Sequence, residues 1–159
     1  MPPEPPIGVV ADGAPLLRAG IMANLVADGV AVGAETGLGA EVVPLVTEHR
    51  AGLVIIGTLP DVPALEVARR LHARTAPPAI VLLLSQATPD AIAELLSLDV
   101  MGMVPRSIDA AGFVHAVRRV RDGERVVDPG ILVTTASAMD DPDETHATSS
   151  SGTAPASAS

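Results

Sequence analysis

The chain has 159 residues, 48% of them hydrophobic, and a formal net charge of −9. With no cysteine it can form neither a disulfide nor a thiolate metal site. Its ten basic residues are all arginine and form no long stripe, a poor match to a phosphate backbone. The single aromatic, Phe113, leaves the core to Val, Leu, Ile and Ala.

The start, Met1-Pro2-Pro3-Glu4-Pro5-Pro6, has neither the basic opening nor the apolar run of a secretory signal and reads as a short extended leader. No apolar stretch approaches the roughly 20 residues that cross a bilayer, so a cytoplasmic protein away from membranes is expected. Ile7-Gly8-Val9-Val10-Ala11 is the first strand. Pro15 then stands in a first helical turn, and Leu16, Leu17, Ile21, Leu25 and Val26 recur at helical spacing to Asp28-Gly29. A weaker strand is expected over Val30-Ala31-Val32-Gly33-Ala34. Thr36 is placed as the cap of a second helix that carries Val42, Val43, Leu45 and Val46 and ends near Arg50.

Leu53-Val54-Ile55-Ile56 is continuously apolar, as a parallel strand covered on both faces must be. A helix from about Val62 to Arg74 follows, halted by Pro77-Pro78. Ile80-Val81-Leu82-Leu83-Leu84 is a second buried strand. Thr88-Pro89 opens a fourth helix that carries Ile92, Leu95 and Leu96. Met101-Gly102-Met103-Val104 is a short fifth strand. Ser107 is placed as the cap of a last helix with an inner face of Ala111, Val114, Val117 and Val120, ending at Asp122-Gly123. Five strand–helix repeats predict an α/β protein with a parallel sheet and helices on both faces. Beyond about Ala136 the composition turns to acidic residues (Asp140, Asp141, Asp143, Glu144) and then Ser, Thr, Ala and Gly, a segment too polar to order itself.

The segment Val9-Val10-Ala11-Asp12-Gly13-Ala14-Pro15-Leu16-Leu17-Arg18-Ala19-Gly20-Ile21 resembles the first strand and helix of response-regulator receivers of the LuxR/NarL type. Val126-Val127-Asp128-Pro129 is similar to the segment that follows the last helix in that family. The resemblance covers residues 7 to 130, leaving 1–6 as leader and 131–159 as tail or linker. It implies a flavodoxin-like, doubly wound sheet of five strands in the order 2-1-3-4-5 with five helices. It also implies a two-component, transcription-regulating context, a DNA-binding partner domain and action as a homodimer.

A working receiver gathers two acidic residues, a phosphoacceptor aspartate after the third strand, a Ser or Thr after the fourth and a Lys after the fifth. The carboxylates cluster because a hard divalent cation wants several oxygens. Here the acidic pair is Asp12 and Gly13, and the acceptor position is Gly57. The hydroxyl position is Ser85, the lysine position Arg106 and the switch position Met103. Glycine cannot form an acyl phosphate, and one carboxylate holds magnesium weakly. No catalysis, cofactor or metal is therefore expected, and Asp12 is expected to pair with Arg106 from a neighbouring central strand. Asp61 reads as a solvated residue at the start of the third helix. The four histidines lack metal-ligand spacing, and Gly33, Gly37 and Gly39 lack a dinucleotide fingerprint. Arg118, Arg119, Arg121 and Arg125 form a small cluster that suits a helix C-terminus and does not argue for nucleic-acid contact. Leu95, Leu98 and Met101 are the expected interaction face. The expected function is a phosphorylation-independent regulatory module; the alternative is a small-molecule sensor that uses the vacated pocket.

Overall fold

Alternating runs of β-branched and aliphatic residues make the strands, and two-sided burial arranges them. The computed structural model describes residues 5–131. Its strands are β1 (Gly8–Ala11), β2 (Val32–Thr36), β3 (Leu53–Ile56), β4 (Ala79–Leu84), β5 (Gly102–Pro105) and β6 (Val126–Val127). Its helices are α1 (Pro15–Ala27), α2 (Val42–His49), α3 (Ala64–His72), α4 (Pro89–Ser97) and α5 (Ala110–Arg121), with a single 3-10 turn at Gly39–Glu41. All pairings are parallel, and the order is β2-β1-β3-β4-β5-β6, the flavodoxin-like arrangement with one strand added at the β5 edge.

The two-residue period of the strands divides the core in two. Val9, Val54, Ile56, Ile80, Leu82 and Met103 face α2, α3 and α4. Val10, Leu53, Ile55, Val81, Leu83 and Val104 face α1 and α5, where Phe113 lies with Ile21, Leu25 and Val117. Side chains on both faces of β3 are wholly buried, which is why that strand reads as unbroken apolar sequence.

Several boundaries differ from those read in the sequence. β2 begins two residues late because Val30 closes α1. The Val30 amide donates to the Leu25 carbonyl (2.9 Å) and the Gly29 amide to the Val26 carbonyl (3.0 Å), with Gly29 at φ 84°. Thr36 ends β2 and caps no long helix; its hydroxyl accepts from the Leu38 amide and donates to Glu41. α3 starts at Ala64, after Pro63 in an extended conformation. α5 is capped by Asp109, whose carboxylate accepts from the Gly112 amide (2.7 Å), and Ser107 lies outside the helix. Its buried face is Phe113, Ala116, Val117 and Val120, while Ala111 is exposed. β6 adds a sixth strand because Val126 and Val127 pair with Gly102 and Met103; two residues carry too little periodicity to announce a strand. Thr88 does cap α4, accepting from the Ala91 amide at 3.1 Å. The acidic tail and residues 1–4 lie outside the described residues.

Among the described residues no helix is long and apolar enough to cross a membrane. The cap assignment is checked by urea unfolding: Asp109→Ala is expected to lose about 1 kcal/mol, and Ser107→Ala less than about 0.5 kcal/mol.

Candidate functional site: a pocket filled by an internal ion pair

In a parallel doubly wound sheet every strand delivers its C-terminal end to one edge, so the loops after β1, β3, β4 and β5 meet there. Asp12 follows β1 directly, and Arg106 follows β5. These strands are not the neighbours expected from the sequence: β3 and β4 lie between them. The long Arg106 side chain crosses that interval and meets the Asp12 carboxylate edge-on, with Nη1 to Oδ2 at 2.5 Å and Nη2 to Oδ1 at 2.9 Å. Asp12 is 0% exposed, and the Arg106 side chain 24%.

A buried carboxylate is tolerable only when paired and fully hydrogen-bonded. Two backbone amides complete the set: Ala14 donates to Oδ1 (2.7 Å) and Thr58 to Oδ2 (3.2 Å). The Gly13 amide donates to the Thr58 carbonyl (2.9 Å) and the Gly57 amide to the Ala11 carbonyl (2.8 Å), lacing the loop after β1 to the loop after β3. Arg18 adds a tie that sequence reasoning missed. Its Nη1 donates to the Asp12 carbonyl (2.6 Å) and its Nε to Glu35 on β2 (3.1 Å). The signal available was an arginine one turn inside a helix that otherwise lacks charge.

The remaining site residues lie as follows. Gly57 sits at the tip of β3 beneath the ion pair. A Cβ on Gly13 would stand 3.2 Å from Pro60 Cδ and 3.3 Å from the Thr58 carbonyl, a close fit against the loop after β3. Ser85 is exposed beyond β4 and, with Gln86, Ser107, Ile131 and Arg106, lines a cleft of about 300 Å³ beside the pair. Met103 is fully buried against the α2–α4 side of the core. Asp61 does not start α3. Its carboxylate accepts from the Gly39 (2.7 Å) and Ala40 (3.0 Å) amides across the loops, and these bonds hold its pKa below the usual carboxylate value.

Of the expected interaction face, Leu95 is buried at 3% exposure, while Leu98 and Met101, just beyond α4, are half-buried and pack against the two core layers. The Arg106 guanidinium meets Asp12 in the pocket, and the cleft lined by Ser85 and Arg106 lies beside the pair. Each arginine of the α5 cluster has a carboxylate partner. Arg118 and Arg121 meet Asp28, Arg119 meets Glu124, and Arg125 meets Asp99. The hydrogen bond from Arg118 lowers the Asp28 pKa. Among the described residues no group of three or more His, Asp or Glu could hold a metal ion.

The fold is that of response-regulator receiver domains. No protein-family model and no curated protein sequence matches the chain; solved structures do. The receiver domain of RcsB from Salmonella enterica serovar Typhimurium aligns with a TM-score of 0.71 at 17% identity, over 78% of this chain and 94% of that one. The receiver domain of the NarL response regulator of Mycobacterium tuberculosis gives 0.70 at 24% identity, over 77% and 100%. A LuxR-family two-component response regulator from an Aurantimonas species gives 0.73 at 23%, over 85% and 98%. At such identities the likeness establishes the fold.

The pair's weight in stability is directly measurable. Removing one partner of a buried pair strands the other, so Arg106→Ala is expected to cost about 3 kcal/mol in urea unfolding. The Asp12→Ala/Arg106→Ala double variant should cost clearly less than the sum of the two single changes.

Proposed function

We propose that residues 7–130 form a receiver-type regulatory and protein-interaction module of a LuxR/NarL-type transcriptional regulator, one that works without phosphorylation and as a homodimer. The observation that carries this reading is the tip of β3: residue 57 has no side chain, and the nearest carboxylate, Asp12, already receives four N–H donors. An acyl phosphate needs a free carboxylate oxygen, and magnesium needs several oxygens with open positions; this arrangement supplies neither. Output to DNA would belong to a partner domain, since the α5 arginines are each engaged by acidic side chains.

The surface that supports dimerisation is α1. Its outward positions Leu16, Ala19, Gly20, Ala23, Val26 and Ala27 recur at helical spacing and are all exposed, Leu16 to 90% and Val26 to 60%. The helix has one charged residue, Arg18, which is turned to Asp12 and Glu35, and Asn24 donates to the Gly20 carbonyl. A helix apolar on every side is ordinarily covered on every side. For a chain of net charge −9, two copies repel least where neither presents a carboxylate, and this face presents none. Small residues along it let two such helices approach closely in a two-fold contact. The outer side of α4, by contrast, is occupied by the ion pair of Glu94 with Arg69 of α3.

Two measurements test the proposal. Incubation with acetyl phosphate and magnesium, followed by intact mass, should leave the chain unmodified; an added phosphoryl group would sink the phosphorylation-independent reading. Sedimentation equilibrium should show a dimer that Leu16→Asp weakens at least about tenfold, because two copies of a leucine contact are lost at once. An unmodified monomer at all concentrations overturns the dimer.

A further inference from the structure

We infer that Gly57 is glycine because the Asp12–Arg106 pair occupies the space of its side chain: the pair and an empty position 57 form one interlocked device that holds the loop edge in a single conformation. A Cβ built on Gly57 would overlap Asp12 Oδ2, and would stand 2.8 Å from Asp12 Cγ and 2.9 Å from Arg106 Nη1. Real Cβ contacts essentially never come that close, and the atoms met are not the free ends of flexible chains. They are the paired ends of a buried salt bridge, fixed by the Ala14 and Thr58 amides on one side and by the bidentate guanidinium on the other.

Backbone conformation does not account for the glycine. Gly57 carries no left-handed φ, unlike Gly29 at 84° and Gly123 at 88°. Its amide donates to the Ala11 carbonyl at 2.8 Å, a bond any residue except proline can make. The constraint comes from across the sheet: Arg106 must pass over the tip of β3 to reach Asp12, and it can do so only if that tip is bare.

The device has a regulatory consequence. The pair joins the loops after β1 and β5, the Thr58 amide joins the loop after β3, and Arg18 joins β2 through Glu35. Four segments of the functional edge are thereby cross-linked by charge internal to the chain. A carboxylate restored at position 57 would have to evict Arg106 from Asp12 before it could act, so the edge does not switch by a single change. This inference rests on the phosphorylation-independent reading only for its regulatory meaning. Its test reads stability and amide exchange, so a phosphorylated chain would sink that reading and leave the coupling to be judged separately.

The experiment is a coupling measurement by chemical unfolding. Gly57→Ala is made in the native chain and in an Asp12→Ala/Arg106→Ala background, with Asp12→Ser/Arg106→Leu as a second background should the first not fold. At an ordinary backbone conformation Gly→Ala stabilises slightly by restricting the unfolded chain. In the native chain the substitution is therefore expected to raise the unfolding constant at least about tenfold, and in the backgrounds to change it less than about twofold or lower it. Amide exchange at Ala14 and Thr58 should also accelerate in the native-chain variant, since both protons are held by Asp12. An equal loss in native and background chains, with exchange at those two amides unchanged, overturns the inference.

Discussion

One buried carboxylate organises the loop edge at the C-terminal ends of the strands. Asp12 is withdrawn from water, and a charge so placed is stable only if the surroundings answer it completely. Two backbone amides and a bidentate guanidinium do so. Much follows from that requirement. The loop after β1 is drawn against the loop after β3, Arg106 is committed to a reach over two strands, and the β3 tip beneath it is bare.

The sheet makes this possible. A central strand must be apolar on both faces, which leaves its polar chemistry to the loop that follows. Because β1, β3, β4 and β5 are parallel, their following loops collect at one edge, and residues 94 positions apart meet there. Here the positive partner is built into the chain, and arginine suits the role: its fork matches a carboxylate and its charge does not titrate away.

Elsewhere on the surface the opposite economy holds. Acidic residues are widespread, the α5 arginines are tied up by them, and Asp28 joins the end of α1 to α5 through Arg118 and Arg121. The outward side of α1 stands apart as apolar and small-residued, with Leu16 almost fully exposed. The fourth helix spends its leucines differently: Ile92 and Leu95 enter the core beside Met103, and Glu94 turns outward to Arg69.

What local sequence could decide, it did decide. Continuous apolar runs marked β3 and β4, helical spacing with Pro15, Pro89 and Thr88 marked helix starts, and glycine at position 57 excluded an acyl phosphate there with no structure at all. Those are properties of single residues and short periods. Tertiary structure alone decided the rest. Val126 and Val127 became a strand because β5 offered a free edge, Leu95 sank into the core while Leu16 did not, and Asp61 turned to Gly39 and Ala40 across two loops. Most of all, the space above Gly57 is taken by Asp12 and Arg106. The atoms that forbid a side chain there come from residues 12 and 106, and only the fold brings those distant charges over one strand tip.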